Sequence, residues 1–577
     1  MSLCGSDQVL VFREAAVIRI IVLYKGLQRN FTRTAFETFA VLLKRMRINL
    51  ERTWAKGQQP PFKELQFRGP AGPFEVDDTL DRLLQPGSEL AIDDVCLPLV
   101  VEPLFVLEVR LSGSICQATV PIMPDVRVLN GTRYDLQFLW TDHEGRETTG
   151  PYFVPQPEHV GTCIDVHVCD PESPSRWWVD KTPPVDAWNA APWVDRRLVD
   201  FGICADSEFR IASFNILAPP YARTPYALSM CFPHCHKKFM EAKHRRCRVL
   251  RQILLLNADI QCLQECTFNQ ARSLEFSMRA THRMLLSPKR GRIVEGPVML
   301  LRRSRFNVVQ ERTVVFKHAL VGSKRLAPLV SHFSAQWPDF AAKVLPNMNT
   351  VCQIVLVKDN VTDRHIVVCN THLFFDGKAR HIKLLQVLTF VDAAKDFQAS
   401  SGVDATIVFL GDLNSSETTA CYQLLMSGET SRDHPHWQDG LTYTWGVQED
   451  AVEAETAEPD EDRTQSSDVR TADEIQAIVN EELVWHRDIP EEALSGVVPL
   501  GTSFTQAYED YPPFTNIVTT FQATLDHILL ETGGPLKVTK TLPHITEGDL
   551  ECGALPDSSW PSDHIDLAAD LTWLYVN

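Results

Sequence analysis

Past about residue 205, apolar runs of strand length recur at residues 209–217, 259–263, 351–357, 365–373, 405–410, 524–530 and 564–571. Apolar residues at helical spacing fill 240–256 and 380–395. This interleaving predicts a mixed α/β domain. Several of the runs end on a polar side chain: Ile211-Ala-Ser-Phe-Asn215, Asp259-Ile-Gln-Cys-Leu-Gln-Glu265, Val367-Val-Cys-Asn-Thr-His372 and Val408-Phe-Leu-Gly411-Asp412. Chemistry in α/β sheets gathers at such strand ends.

Before residue 205 the pattern changes. Alternation over 101–111 and the turn signal Leu129-Asn-Gly-Thr predict a β-rich N-terminal domain over 1–170. Pro and Trp are mixed over 171–205, which reads as a linker. The α/β domain then occupies 206–577, with an acidic insertion at about 447–500. A chain of 577 residues exceeds what one core supports, so more than one domain is expected. No internal repeat is visible.

Charge sharpens this division. The chain carries −18, but residues 449–482 hold thirteen acidic and two basic residues, a net −11 that leaves −7 for the rest. That segment has the composition of a solvated insertion, and the overall balance argues against a general nucleic-acid coat protein. The fifteen cysteines are scattered without a C-x-x-C pair, which suggests reduced thiols and no secretion. The cluster Cys231-Phe-Pro-His-Cys235-His lacks a second ligand pair for zinc. The most apolar N-terminal run, residues 16–24, is too short to span a bilayer, so no membrane association is expected.

The strand-end residues make sense together. Gly411 allows close backbone approach, and in extended geometry Asp412 and Asn414 would face one pocket. Further candidates follow in Phe514-Thr-Asn516, Leu525-Asp526-His527 and Pro561-Ser-Asp563-His564, where Asp563 is placed to fix the imidazole tautomer. Each residue alone is as readily a cap, a core histidine or a solvent-facing carboxylate. The set supplies hard oxygen ligands, a water-activating carboxylate and two imidazoles, which suits Mg²⁺ and phosphoryl transfer.

The ordered motifs Ser-Phe-Asn-Ile-Leu, Cys-Leu-Gln-Glu, Asn-Thr-His-Leu, Gly-Asp-Leu-Asn, Pro-Phe-Thr-Asn, Leu-Asp-His-Ile and Pro-Ser-Asp-His resemble the endonuclease/exonuclease/phosphatase superfamily. Within it they resemble the branch of the poly(A) deadenylases and 2′,5′-phosphodiesterases, as does Asp433-His-Pro-His-Trp437. The resemblance implies a DNase I-like two-sheet α/β sandwich behind the β-rich N-terminal domain. It implies hydrolysis of adenylate-rich RNA or 2′,5′-oligoadenylate to 5′-AMP, with Mg²⁺ as cofactor, RNA or oligoadenylate as partner and no DNA. A mitochondrial-matrix or cytoplasmic location also follows.

Carried over by position, Glu265 would bind the metal with Asn215 and Asp412, and Asp412 would activate the water. Asn414 and His372 would hold the phosphate, His564 would stabilise developing charge, and Asp526 and Asp563 would orient it. Asn516 would complete the polar floor, and Phe521 would stack on adenine. One departure is Gly377, where relatives often place a base-packing Pro; Phe374 or Phe375 would substitute. The basic run Lys243-His-Arg-Arg-Cys-Arg248 with Arg251, and the pair Arg302-Arg303, would track an RNA backbone or form charged helix faces. Alternatives are a nucleotide 2′-phosphatase of nocturnin type and a catalytically idle RNA-binding or scaffold protein.

Overall fold

The computed structural model describes residues 7–574 except 445–496 and shorter stretches at 15–16, 26, 35–36, 57–62, 71, 76–79, 81–82, 84–86, 102–104, 112–115, 130, 172–176, 188–190, 290–294, 338–339 and 432. The acidic insertion expected at about 447–500 therefore lies almost wholly outside the described residues. The chain forms two compact units, Met1–Trp188 and Asn189–Asn577. The stretch 171–205 contains a strand, Trp177–Lys181, in the first unit and a helix, Pro192–Phe201, in the second.

The first unit contains a seven-stranded sheet, a four-stranded sheet and a two-stranded ribbon. The helix Phe39–Lys56 lays Phe39, Leu42, Met46 and Leu50 against Ile18, Ile20, Phe67 and Leu90 of the larger sheet. That spacing is one helical stripe on an alternating sheet face. In the four-stranded sheet, Gln137–Thr141 lies between Glu147–Thr149 and Asp165–Cys169, with Trp177–Lys181 beyond.

The second unit is a sandwich of two six-stranded sheets flanked by helices. Its elements in chain order are β1 (Glu208–Asn215), α1 (Ala242–Leu256), β2 (Ile260–Thr267), β3 (His282–Leu286), β4 (Glu295–Arg302), β5 (Phe306–Val315), β6 (Val351–Asp359), β7 (His365–His372), α2 (Arg380–Ser400), β8 (Ala405–Asp412), β9 (Phe504–Gln506), β10 (Asp526–Glu531), β11 (Leu536–Thr541) and β12 (Leu567–Trp573). One sheet runs β3-β4-β2-β1-β12-β11 and the other β5-β6-β7-β8-β10-β9. The central pairs β1/β2 and β7/β8 are parallel, and both sheets add antiparallel partners outside them.

Because side chains alternate, each central strand serves two apolar environments, which is why these runs read as continuously hydrophobic. Phe209 and Ile211 of β1, Ile260 and Cys262 of β2, Ile366 and Val368 of β7, Val408 and Leu410 of β8, and Ile528 and Leu530 of β10 meet between the sheets. The opposite faces of β7 and β8, through Val367, Cys369, Ile407 and Phe409, pack with Leu384, Leu388 and Val391 of α2. Ala212 and Ala568 of the other sheet pack with Leu256 of α1 and Phe201.

The inward face changes character toward one end of the sandwich. On β7 it runs Ile366, Val368, Asn370, His372; on β8, Val408, Leu410, Asp412; on β1, Phe209, Ile211, Ser213, Asn215; and on β10, Leu530, Ile528, Asp526. Four strands thus carry a polar residue in phase with the buried apolar ones, so those residues converge where the core ends.

Candidate active site

Asp412 lies at the centre of this convergence. Its neighbour Gly411, at φ +148°, lets β8 press against β7 so closely that a Cβ there would meet the Thr371 carbonyl oxygen at 2.1 Å. The register sets His372 beside Asp412 and Asp412 beside Asp526. Across the sandwich, Asn215 Nδ2 donates to Asp412 Oδ2 at 3.0 Å and to Glu265 Oε1 at 3.1 Å. His372 Nε2 lies 3.5 Å and His564 Nε2 3.7 Å from the same Asp412 oxygen.

Glu265 is out of phase with the inward face of β2, where Ile260, Cys262 and Gln264 point inward. A register irregularity between Leu263 and Cys266 and a left-handed backbone at Glu265, φ +59°, turn its carboxylate in as well. The chain after Asn215 is also unusual: Leu217 adopts φ +53°. Strain of this kind costs about 1–3 kcal/mol for a bulky residue. Its offset is visible in two hydrogen bonds from that turn, Leu217 N–H to Asn215 Oδ1 at 3.0 Å and Ala218 N–H to Glu265 Oε2 at 2.7 Å. The second, made to a carboxylate, is of the stronger kind, about 1.5–3 kcal/mol.

Of the two carboxylates expected to orient His564, Asp526 makes the hydrogen bond and Asp563 does not. His564 Nδ1 is bonded to Asp526 Oδ2 at 2.7 Å, with Thr515 Oγ1 donating to the same oxygen at 2.7 Å. Asp563, adjacent in sequence, instead accepts from Asn516 Nδ2 at 3.3 Å. Asp563 still acts on the His564 ring through its charge, but the hydrogen bond that fixes the ring comes from Asp526. Asn414 departs as well. The strand ends at Asp412 and Asn414 is left-handed, φ +46°, so the extended-geometry premise does not hold there. Its N–H donates to Asp412 Oδ1 at 2.8 Å and its amide to the Leu373 carbonyl at 3.0 Å, while the buried Lys383 holds its carbonyl at 2.8 Å.

Burial and like charge govern the titration of this cluster. Burial, then the charges of Asp563 and Glu295, push Glu265 up to about 7. Burial and the neighbouring Asp526 push Asp412 up to about 6. Burial works to lower His564, but Asp526, Asp563 and Asp412 outweigh it and hold the ring well above its ordinary value, as an imidazolium. His372 is driven well below by burial and by the positive charges of Lys289 and His564, so it is neutral. Among the described residues neither Glu265 nor Asp412 pairs with a lysine or arginine, and Asp526 Oδ1 is buried without a hydrogen-bond donor. Asp412, Asp526 and His564 can bring three ligand atoms within 4.8 Å of one another. Hard oxygen donors, surplus negative charge and an orphaned acceptor together fit a divalent cation.

Some site residues carried no sequence signal. Lys289 Nζ lies 3.4 Å from His372 Nδ1 and 2.7 Å from the buried Glu295, whose same oxygen accepts from the Tyr221 hydroxyl at 3.1 Å. Gln264 Nε2 donates to Asn370 Oδ1 at 2.8 Å, tying the two sheets beneath the cluster. Phe521 stands on the short strand Phe521–Ala523 and is 51% exposed. Phe375 is exposed and Gly377 has open space around its Cα.

Three arginines of the basic run are turned away from the surface, while Lys243 is exposed. Arg245, Arg248 and Arg251 are all buried, and Arg251 pairs with Asp195. Arg302 pairs with Asp259, and Arg303 donates to the carbonyls of Arg279 and His282. His234, within the Cys231–Cys235 segment, is bonded to Thr519 Oγ1 and the Pro556 carbonyl. The cysteines among the described residues are free thiols. No described helix is long and apolar enough to cross a membrane.

No family model matches the chain. It is 25% identical over 433 residues to 2′,5′-phosphodiesterase 12 of Bos taurus, covering 73% of this chain and 61% of that protein. The Homo sapiens 2′,5′-phosphodiesterase 12 is 24% identical over 450 residues, covering 75% and 63%. A probable CCR4-Not complex 3′-5′-exoribonuclease subunit Ccr4 of Encephalitozoon cuniculi is 29% identical over 225 residues, covering 37% and 42%. Among solved structures, that of ANGEL2, a 2′,3′-cyclic phosphatase, with adenosine-2′,3′-vanadate aligns at TM-score 0.46 and 21% identity, covering 63% of this chain and 95% of that one. The chain spans about six-tenths of the length of the 2′,5′-phosphodiesterase relatives it matches. The two-sheet α/β sandwich has the architecture that the resemblance to the endonuclease/exonuclease/phosphatase superfamily implied, a DNase I-like one. The sequence likeness to the 2′,5′-phosphodiesterases and to a Ccr4 subunit supports the deadenylase branch of the endonuclease/exonuclease/phosphatase superfamily.

Proposed function

We propose that the protein is a Mg²⁺-dependent phosphodiesterase that hydrolyses adenylate-rich RNA or 2′,5′-oligoadenylate to 5′-AMP. The observation that carries this reading is the position of Asp412: buried, within 3.0–3.7 Å of Asn215, His372 and His564, and in no ion pair with a lysine or arginine among the described residues. Its relatives are named for phosphodiester and 3′-5′ exoribonuclease activities, which supports the choice of bond.

Glu265 and Asp412 would hold the metal, and Asn215, donating to both, would keep their oxygens apart and aimed. When bound, Mg²⁺ supplies neutralisation of charge on the phosphate. Asp412 would take the proton of the attacking water, its buried carboxylate standing between Asn215, His372 and His564. Neutral His372 and the Asn414 turn would hold phosphate oxygens. His564, charged and buttressed by Asp526, would face the developing negative charge. Asn516 and Asp563 would complete the floor, and exposed Phe521 would stack on an adenine. The resemblance points to the mitochondrial matrix or the cytoplasm as the place of action.

Incubation with 2′,5′- and 3′,5′-linked triadenylate in Mg²⁺ tests the reading. AMP is expected from at least one linkage and is expected to disappear with EDTA. Folded protein that binds Mg²⁺ yet releases AMP from neither overturns it, and release of inorganic phosphate from nucleotide 2′-phosphates would assign the site to a phosphatase instead.

A further inference from the structure

Arg245, within the basic run, touches the active-site turns. It is 1% exposed on α1, and its Nε and Nη2 donate to backbone carbonyls while Nη1 is buried without a hydrogen-bond partner. Nη2 donates to the carbonyls of Ile216, at 2.6 Å, and of Leu217, and Nε donates to the carbonyl of Pro561 at 2.6 Å. These oxygens belong to the turn after Asn215 and to the loop that leads into Asp563 and His564. Ser562 Oγ adds a second tie between the same segments by donating to the Asn215 carbonyl at 2.7 Å.

The peptide units involved give this contact its consequence. The Ile216 carbonyl shares a peptide plane with the Leu217 N–H, which donates to Asn215 Oδ1. The Leu217 carbonyl shares one with the Ala218 N–H, which donates to Glu265 Oε2. A cation at a carbonyl oxygen polarises the whole planar amide and strengthens the bond its N–H makes. Two such units lie in line here, one ending on each of two neighbouring site residues, and both pass through the left-handed Leu217.

We infer that Arg245 is a positioning residue for the metal end of the site, holding the strained turn at Leu217 and relaying its positive charge through two peptide units to Asn215 and Glu265. It touches neither substrate nor metal. This inference rests on the reading of Glu265 and Asp412 as metal ligands given above. An outer residue that orients ligands typically contributes about 10–100-fold in metal affinity.

The test is Mn²⁺ binding by calorimetry on the full chain, with kcat and KM for triadenylate measured beside it. Arg245→Met is expected to weaken Mn²⁺ binding about tenfold and to lower kcat with KM nearly unchanged, and Arg245→Lys to recover part of both. Arg245→Gln, which keeps an amide donor in the same space, stands in if the methionine variant does not fold. A folded neutral variant that binds Mn²⁺ within about twofold of wild type overturns the role of Arg245 alone; the predicted loss is about fivefold beyond that. Wild-type protein that binds no Mn²⁺ overturns the reading of the site and this inference with it. Wild type that binds Mn²⁺ but cleaves nothing overturns only the activity, and the affinity comparison still decides for or against Arg245.

Discussion

Asp142 and His159 of the N-terminal unit meet at 3.3 Å, and Asp526 and His564 of the sandwich meet at 2.7 Å; both pairs are buried and both can gather three ligand atoms. Their surroundings differ. One oxygen of Asp142 accepts the Glu144 and Arg146 N–H groups, and the other receives the Arg146 guanidinium at 2.6 Å. His159 Nδ1 in turn accepts the Gln156 N–H. Burial works to raise Asp142, yet the Arg146 side chain and these N–H groups outweigh it and hold the carboxyl well below its usual range. Such a cluster closes a turn and is complete. Among the described residues the sandwich cluster pairs with no lysine or arginine, keeps an orphaned acceptor on Asp526 and forces Asp412 upward against the single charge of His564. What separates a structural carboxylate–imidazole pair from a reactive one is whether the protein itself neutralises it.

The strongest way to break this contrast is Asp412→Asn. Turnover is expected to fall about 10³-fold, the worth of a positioned general base. The unfolding temperature of the metal-free variant should hold or rise, because a buried like charge beside Asp526 is removed. Steady-state kinetics with a thermal melt in EDTA reads both, and an equal loss of activity and stability would make Asp412 structural.

A pH series sharpens the comparison. Glu265 is raised from 4.5 to about 7 in the folded protein. Its contribution to stability is therefore present below its unfolded value and is lost as pH rises through about 7. In EDTA, wild type compared with Glu265→Gln should lose up to about 3 kcal/mol between pH 4.5 and 8. Denaturant melts across that range measure it, and a difference that does not change with pH contradicts the shift. Asp142, held low, follows the opposite rule: its contribution is present above the unfolded carboxylate value and is lost as pH falls further.

The smallest effect is expected at the complete cluster. Arg146→Met should lower the unfolding temperature of the protein by a few degrees and leave kcat and Mn²⁺ affinity unchanged. A loss of metal binding there would mean that the two clusters are not as different as their hydrogen bonds say.

Legibility followed burial. The runs at 351–357, 365–373 and 405–410 correspond to central strands of one sheet, where both faces are covered and most positions are apolar. The strand Phe306–Val315 gave no such signal because it is an edge strand with mostly exposed polar side chains. Glu295–Arg302 opens on Glu-Gly-Pro, which reads as a break. The Arg residues of 243–251 were ambiguous for a related reason: their helix carries them into contact with carbonyls and carboxylates that are distant in sequence.

By itself the sequence determined the α/β class and the placing of Asn215, His372, Asp412 and Asp526 at the ends of apolar runs, because the run of buried positions along a strand is written locally. Tertiary structure alone decided the rest. Glu265 reaches the cluster through a bulge and a left-handed backbone, His564 takes Asp526 rather than Asp563 as its partner, and Arg245 binds turns 28 to 316 residues away. Those contacts depend on which backbone oxygens and carboxylates the packing of two sheets brings within hydrogen-bond reach, and local periodicity carries no record of that.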